Sequence, residues 1–309
     1  MLTPYTTTLT DEAANRGIPV TMINGDPDWP IFDLHLPGGP LRCFNALTDL
    51  VGAATYHLVN NKRSCHVWLA DRGIPVPAQI AWSDRSPAEA EAFLSRYAPI
   101  VVKPCMQWGG RGVSMGIRTV EQLRRAVRFA RRYESDVILE ETVAGEDLRV
   151  ILVGGRCVAA IRRNPAHVTG DGLHTLRQLI RSRNRKRRRE DPSNLIPENA
   201  ETWHNLAELG RSPDDIPAAG EKVRVRLTNN YHTGGDVDIV TDPLPAAVTI
   251  AERIVKELAL PLAGVDFLID PESRHPVVIE VSPDMAISPP EGETVAHAWI
   301  DYLTKRVER

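Results

Sequence analysis

Long apolar runs are absent from this 309-residue chain: no stretch reaches the length of about 18 residues that a membrane-crossing helix needs. Cysteine is scarce as well. Cys43, Cys65, Cys105 and Cys157 lie far apart, with no pair at metal-ligand spacing, which argues against a disulfide framework and fits a reducing compartment. The opening residues, MLTPYTTTLTDEAANRG, lack the basic and apolar regions of a secretory signal. Charge of one sign does not dominate; the net charge of −3 supplies no field toward nucleic acid or a membrane surface. What remains, at 42% apolar and 25% charged residues, reads as a cytoplasmic globular chain long enough for two lobes.

Residues 1–60 read as a short α/β segment. A helix opens at Thr10-Asp11-Glu12 and closes at Gly17, Ile18–Ile23 is a strand, and a second helix is expected from Ala46 to about Val59. Residues 62–72 have helical spacing until Gly73-Ile74-Pro75 breaks it. Pro99-Ile-Val-Val-Lys103 is a buried strand ending in a cation. Val113–Ile117 is extended, and Val120–Tyr133 is an amphipathic helix with Leu123, Val127 and Ala130 on one face. Residues 136–140 form a strand ending in acids. Leu148–Val153 and Arg156–Arg163 then form a hairpin around Gly154-Gly155. The stretch 175–220 looks least regular, with a helix near 200–210. Strand, loop and strand over 223–242, a helix over Ala246–Leu258 and strands at Leu262–Asp270 and Pro276–Val281 complete the reading.

Three features carry chemistry. Lys103 precedes Trp108-Gly-Gly-Arg-Gly-Val-Ser-Met-Gly116, where clustered glycines let backbone N–H groups approach phosphate and the ammonium neutralises it. No Lys-Ser/Thr follows the last glycine, so this is not a Walker A loop. A strand-like segment follows where a Rossmann turn would open a helix. The plainer reading is a surface hairpin with glycines for turn geometry. Next, Glu140-Glu-Thr-Val-Ala-Gly-Glu-Asp147 leaves a core strand. Such a hinge can offer backbone groups to an adenine edge and a carboxylate to ribose hydroxyls, or be only a charged turn. Last, Asp266 and Glu280 are flanked by strand-forming apolar residues, so each faces a polar cavity or is costly to bury. Two carboxylates on neighbouring strands suit Mg²⁺ bridging phosphates, although outward-facing strand acids would look the same. Seven of the nine residues from Arg181 to Arg189 are cationic, as a solvated helix end, a partly ordered loop or a docking surface for an acidic substrate would be.

In this order the motifs resemble the ATP-grasp superfamily, and most of all the ATP-grasp portion of cyanophycin synthetases and fused bacterial glutathione synthetases. The resemblance runs from about Leu47 to Ser288. It rests on Ile138-Leu-Glu-Glu with Gly145-Glu-Asp-Leu-Arg149, Val158-Ala-Ala-Ile-Arg-Arg-Asn-Pro-Ala-His-Val-Thr-Gly-Asp-Gly172, Asn230-Tyr-His-Thr-Gly-Gly235 and Val278-Ile-Glu-Val-Ser-Pro283. It implies an α+β ATP-grasp fold with two α/β lobes clasping ATP, 61–135 being the central lobe and 136–309 the carboxy-terminal one. By resemblance, Lys62 and Lys103 hold ATP phosphates under Gly109, Gly110, Arg111, Gly112 and Val113. Glu140 and the following backbone, with Glu141 and Val143, take adenine, and Asp147 takes ribose. Asp266, Glu280 and Ser282 ligate Mg²⁺, as two ions. Arg162 and Arg226 face an acyl phosphate, and Asn230 and Gly235 line the substrate side.

The implied activity is ATP-dependent ligation of a carboxylate to an amine, on an amino acid or small peptide, with no nucleic acid or membrane partner. Two departures bear on it. Ser282 stands where the family has asparagine, which raises the alternative of a degenerate ATP-binding module. The roughly 60 residues before the core are short for a preceding α/β domain, which invites a homodimer that completes the pocket. The flanking domains of cyanophycin synthetase have no counterpart in this chain, so cyanophycin synthesis itself is not expected. Intramolecular cyclisation through the same acyl phosphate is a third reading.

Overall fold

A computed structural model describes residues 4–24, 26, 29–284 and 287–307 of the chain. Helix α1 (Pro4–Asn15) starts well before the Thr10 signal, because proline costs nothing at a first helical position, and it stops at Gly17 with φ +70°. Strands β1 (Val20–Met22), β2 (Ile31–Leu36), β3 (Gly39–Phe44) and β4 (Leu47–Thr48) form an antiparallel sheet in that order. The β2–β3 turn is Pro37-Gly38. The helix expected from Ala46 therefore starts later, as α2 (Ala53–Asn60). Leu47 and Thr48 pair instead with Phe44 and Cys43, after Asn45 turns the chain at φ +52°.

Asn61 then caps α3 (Lys62–Ala70) by accepting from the Ser64 N–H. Strand β5 (Gln79–Ala81), helix α4 (Pro87–Tyr97), strands β6 (Ile100–Pro104) and β7 (Ser114–Ile117), helix α5 (Val120–Ala130) and strand β8 (Val137–Glu141) follow. These strands make a second sheet in the order β5-β8-β6-β7, so β8 joins the sheet that holds Lys103. Thr119 and Gln122 box the start of α5, whose Leu123, Val127 and Ala130 bury against Ile100 and Leu139.

Strands β9 (Glu146–Val153) and β10 (Arg156–Asn164) make the expected hairpin, with Gly154 and Gly155 at φ +58° and +82°. Beyond β11 (His167–Thr169), the stretch read as least regular holds α6 (Leu176–Glu190), which the sequence reading does not expect, and α7 (Ala200–Glu208), the helix expected near 200–210. The basic run is thus helical: Leu176, Ile180 and Asn184 form the buried stripe beneath its charges. After β12 (Lys222–Arg224) come a 3₁₀ turn at Tyr231–Thr233, β13 (Asp236–Ile239), α8 (Pro245–Glu257), β14 (Leu262–Ile269), β15 (Pro276–Ser282) and α9 (Pro289–Val307).

The third sheet, β13-β10-β9-β14-β15, is antiparallel throughout and covered on both faces. Period-two alternation sends Leu148, Val150 and Leu152 of β9 toward α8, and Ile151 and Val153 toward α9 and the amino-terminal sheet. Arg149 shares the second face. The α+β architecture expected from the sequence is what the chain adopts.

Candidate nucleotide and substrate site

A cavity of about 900 Å³ is lined by residues from the β5-β8-β6-β7 sheet, the large sheet and the segment 224–232. On one wall Lys103, only 7% exposed, donates from Nζ to Glu140 Oε1 at 2.7 Å. Lys62 Nζ donates to the Gln107 carbonyl at 2.7 Å and lies 3.2 Å from Glu280 Oε1. Gly109, Gly110, Arg111 and Val113 line the cavity above them. Gly110 has φ +78°, and a Cβ there would sit 2.5 Å from the Thr228 side chain, so only glycine allows this approach. Gly112 does not line the cavity; its N–H donates to Glu201 Oε1 at 2.8 Å and is not offered to a phosphate.

The hinge after β8 brings Glu141, Thr142, Val143, Ala144 and Gly145 to the cavity. Glu140 lines it from beneath, with its carboxylate turned to Lys103 and to His66 Nδ1 at 3.6 Å. The Glu141 carboxylate points away, accepting from the Ala78 N–H at 3.2 Å. Any recognition of a base by this pair therefore falls to the hinge backbone. Burial holds the His66 imidazole below its ordinary value, so the ring is neutral beside this pair.

On the opposite wall, arginines and acids interlock. Arg149 forks onto Asp266 at 2.6 and 2.8 Å, and Arg163 reaches Asp266 at 2.9 Å and Asp147 at 2.8 Å. Asn229 adds a bond to Asp147 at 3.0 Å. Burial raises both carboxyls. For Asp266 the two guanidinium groups override it and hold the pKa down at about 2, whereas Asp147 stays above its ordinary range. Burial also works against Glu280, and the Lys62 ammonium pulls it below its usual value.

Alternation separates the two adjacent arginines of β10. Arg162 shares a face of β10 with Ala160 and pairs with Glu146, both side chains being nearly half exposed at the cavity rim. Arg163 shares the face of Ile161 and meets Asp266. Arg226, by contrast, does not line the cavity: it is buried under α7 beside Glu201. Asn230 does line it, and its amide nitrogen lies 3.5 Å from where a Cβ on Gly109 would be. Gly235 lies outside the lining, pressed on the Asn164 and Asn230 carbonyls, where it closes the turn.

The residues present fit the groups the resemblance implies. Thr142 Oγ1, Thr228 Oγ1 and Asn229 Oδ1 are buried, line the cavity and have no hydrogen-bond partner among the described residues, as expected where a polar ligand supplies one. For a cation, Asp266 and Glu280 stand opposite each other across β14 and β15, and Ser282 lines the cavity two residues on. A carboxylate offers about four acceptor sites, and the guanidinium groups occupy three on Asp266. Oδ1 keeps one. Among the described residues no group of three or more His, Cys, Asp or Glu side chains is arranged to hold a metal. Two carboxylates with waters and phosphate oxygens are nevertheless what Mg²⁺ uses.

The ATP-grasp domain model matches residues 59–286. The chain belongs to the ATP-grasp family. This ATP-grasp chain is 31% identical to a cyanophycin synthetase of Trichormus variabilis, over 98% of its own length and 35% of the relative's. It is 32% identical to the glutathione biosynthesis bifunctional protein GshAB of Listeria innocua, over 80% of the chain and 34% of that protein. The chain thus spans about a third of the length of these relatives. The bifunctional glutathione synthetase of Pasteurella multocida shares the fold, with a TM-score of 0.56 at 23% identity, over 92% of this chain and 40% of that one. No helix among the described residues is long and apolar enough to cross a membrane.

Proposed function

We propose that this ATP-grasp chain is an ATP-dependent carboxylate–amine ligase acting on an amino acid or small peptide through an acyl phosphate. The carrying observation is that one cavity receives Lys62, Lys103 and the glycine loop from one wall and Arg149, Arg163, Asp266 and Glu280 from the other. In this reading the lobes meet at the hinge 141–146, whose backbone takes adenine while Asp147 takes ribose. Lys62 and Lys103 hold phosphate oxygens, and Asp266, Glu280 and Ser282 hold Mg²⁺, as one or two ions. The metal supplies neutralisation of the charge that phosphoryl transfer spreads over oxygen. Arg149 and Arg163 keep Asp266 ionised and stand next to the reacting groups, where a fixed positive charge stabilises an oxyanion. Asn230, beside the glycine loop, orients the acid substrate.

The test is ADP release with a panel of amino acids and dipeptides. Acid- and amine-dependent release is expected, and Glu280→Gln should abolish it while Ser282→Asn leaves it similar or modestly raised. Full activity in Glu280→Gln would remove the metal assignment. The engagement of Asp266 by two arginines, together with Ser282, favours a second reading, a nucleotide-binding module without turnover. An inert wild type that gains ADP release as Ser282→Asn would establish that one.

A further inference from the structure

Helix α7 touches no part of the cavity, yet it grips both segments that close over it. Glu201 and Arg226 are 5% and 1% exposed. The Glu201 carboxylate accepts the Gly112 N–H at 2.8 Å and lies 3.8 Å from Arg226 Nη2. One helical turn on, His204 stacks on Phe129 with ring centroids 3.8 Å apart, and its Nε2 lies 3.0 Å from Ser114 Oγ. The other grip is on the segment after β12 that leads to the substrate side. Thr202 Oγ1 accepts from Arg226 Nη1 at 3.2 Å, and Asn205 Oδ1 accepts from the Leu227 N–H at 2.8 Å. From there the chain runs straight to Thr228, which packs on Gly110, and to Asn230.

The chemistry argues for a role beyond packing. Gly109, Gly110, Gly112 and Gly116 all have positive φ, so the loop is intrinsically free and ordering it costs conformational entropy. A buried ion pair is commonly no more stable than apolar residues of the same volume, so this one is poorly explained by stability alone. Burial pushes the Glu201 carboxyl up while Arg226 and the Gly112 N–H pull it back. What the pair does add is direction: a carboxylate aimed at one loop amide, and a guanidinium that anchors that carboxylate to the 226–230 segment.

We propose that Glu201 and Arg226 are positioning residues that clamp the glycine loop to the 226–230 segment, so that nucleotide cover and substrate side are placed together. This rests on the reading of the cavity as a nucleotide site. Two measurements on the full chain separate the two ideas: residue-resolved amide exchange at Gly112 without ligand, and calorimetry with ADP and Mg²⁺. Glu201→Ala should speed Gly112 exchange and weaken ADP binding, each about tenfold, the loss of one charge-assisted hydrogen bond. Glu201→Gln should restore most of the protection, because its carbonyl oxygen can accept the same N–H. In turnover, Glu201→Ala should raise the KM for ATP with kcat changed less than about threefold, the mark of lost positioning in binding.

Where Glu201→Ala fails to fold, Glu201→Leu combined with Arg226→Met removes both buried charges together and should fold with an unprotected Gly112. A folded Glu201→Ala or double variant that keeps wild-type Gly112 exchange would overturn the clamp. So would wild-type ADP affinity in a variant whose Gly112 exchanges fast. If the wild type itself binds no ADP, the nucleotide reading fails, and the exchange comparison still decides the clamp.

Discussion

At the scale of single residues, adjacent positions in one strand have opposite fates. Arg162 and Arg163 are chemically equal, but only Arg163 lies on the face of β10 that meets Asp147 and Asp266. Arg163→Met should cost about 3–5 kcal/mol in chemical denaturation, since it leaves buried carboxylates underpaired, and it should abolish ADP release. Arg162→Met should stay within about 0.5 kcal/mol of wild type, as surface substitutions do. Equal effects from both would mean that alternation along β10 has been misassigned. Lys103 has Glu140 as its partner in the free protein, so a phosphate must compete with that carboxylate. Lys103→Met should still weaken nucleotide binding roughly ten- to a hundredfold by calorimetry, because one charge-assisted bond is lost. Unchanged affinity would place the phosphates elsewhere.

At the scale of elements, α6 shows how a charge run can hide a helix. Its fully buried apolar positions are only Leu176 and Ile180, with Leu179 packed partly buried beside them, and the third buried position is Asn184, which exchanges two hydrogen bonds with the Ile196 backbone at 2.8 and 2.9 Å. The arginines divide by face. Arg183 donates to the Gly234 carbonyl and Arg187 to Asp236, both at 2.7 Å, so the helix braces the turn after Asn230. Arg183→Met should cost about 1–3 kcal/mol by stranding a buried carbonyl and raise the KM for the acid substrate. Replacing the exposed Arg185, Arg188 and Arg189 with serine should change stability by under about 0.5 kcal/mol and leave both KM values alone. A rise in the acid KM from that triple variant, fading at high salt, would instead make the outer face a docking surface.

At the scale of the whole molecule, the amino-terminal sheet and α9 share one core with the large sheet, built around Phe32, Ile151 and Trp299. Helix α7 meets the glycine loop and the start of β7 through Glu201 and His204, outside the cavity, and acid should loosen this contact. Burial holds His204 below its ordinary value, and the folded state therefore resists taking a proton there. Its contribution is full above the unfolded pKa of about 6.5 and is lost as pH falls from there toward the lower folded value. Urea midpoints should drop between pH 7.5 and 5.5, and His204→Gln should shrink that drop. An identical decline in both proteins would assign the acid sensitivity to other groups.

Much of this was legible in order and composition alone. The glycine loop after Lys103, the acidic hinge and the two late strand acids are local patterns, set by turn geometry and by period-two burial; with the Val158–Gly172 and Asn230–Gly235 motifs they carry the resemblance that implied the family and the α+β class. The Gly154-Gly155 hairpin and α5 are equally local, since their periodicity and caps lie within a few residues. What the line of residues could not carry was partnership. Arg226 and Gly112 looked like site groups because each lies in a functional motif, yet Glu201, 89 residues from Gly112 in sequence, claims both of them. Arg149 and Arg163 earned no role of their own from the sequence, because a guanidinium takes its function from the carboxylate it faces, and Asp266 reaches them only when β9, β10 and β14 lie side by side. The local pattern determined which polar and charged residue types the chain carries, and the packing of distant strands decided which of them meet at the cavity.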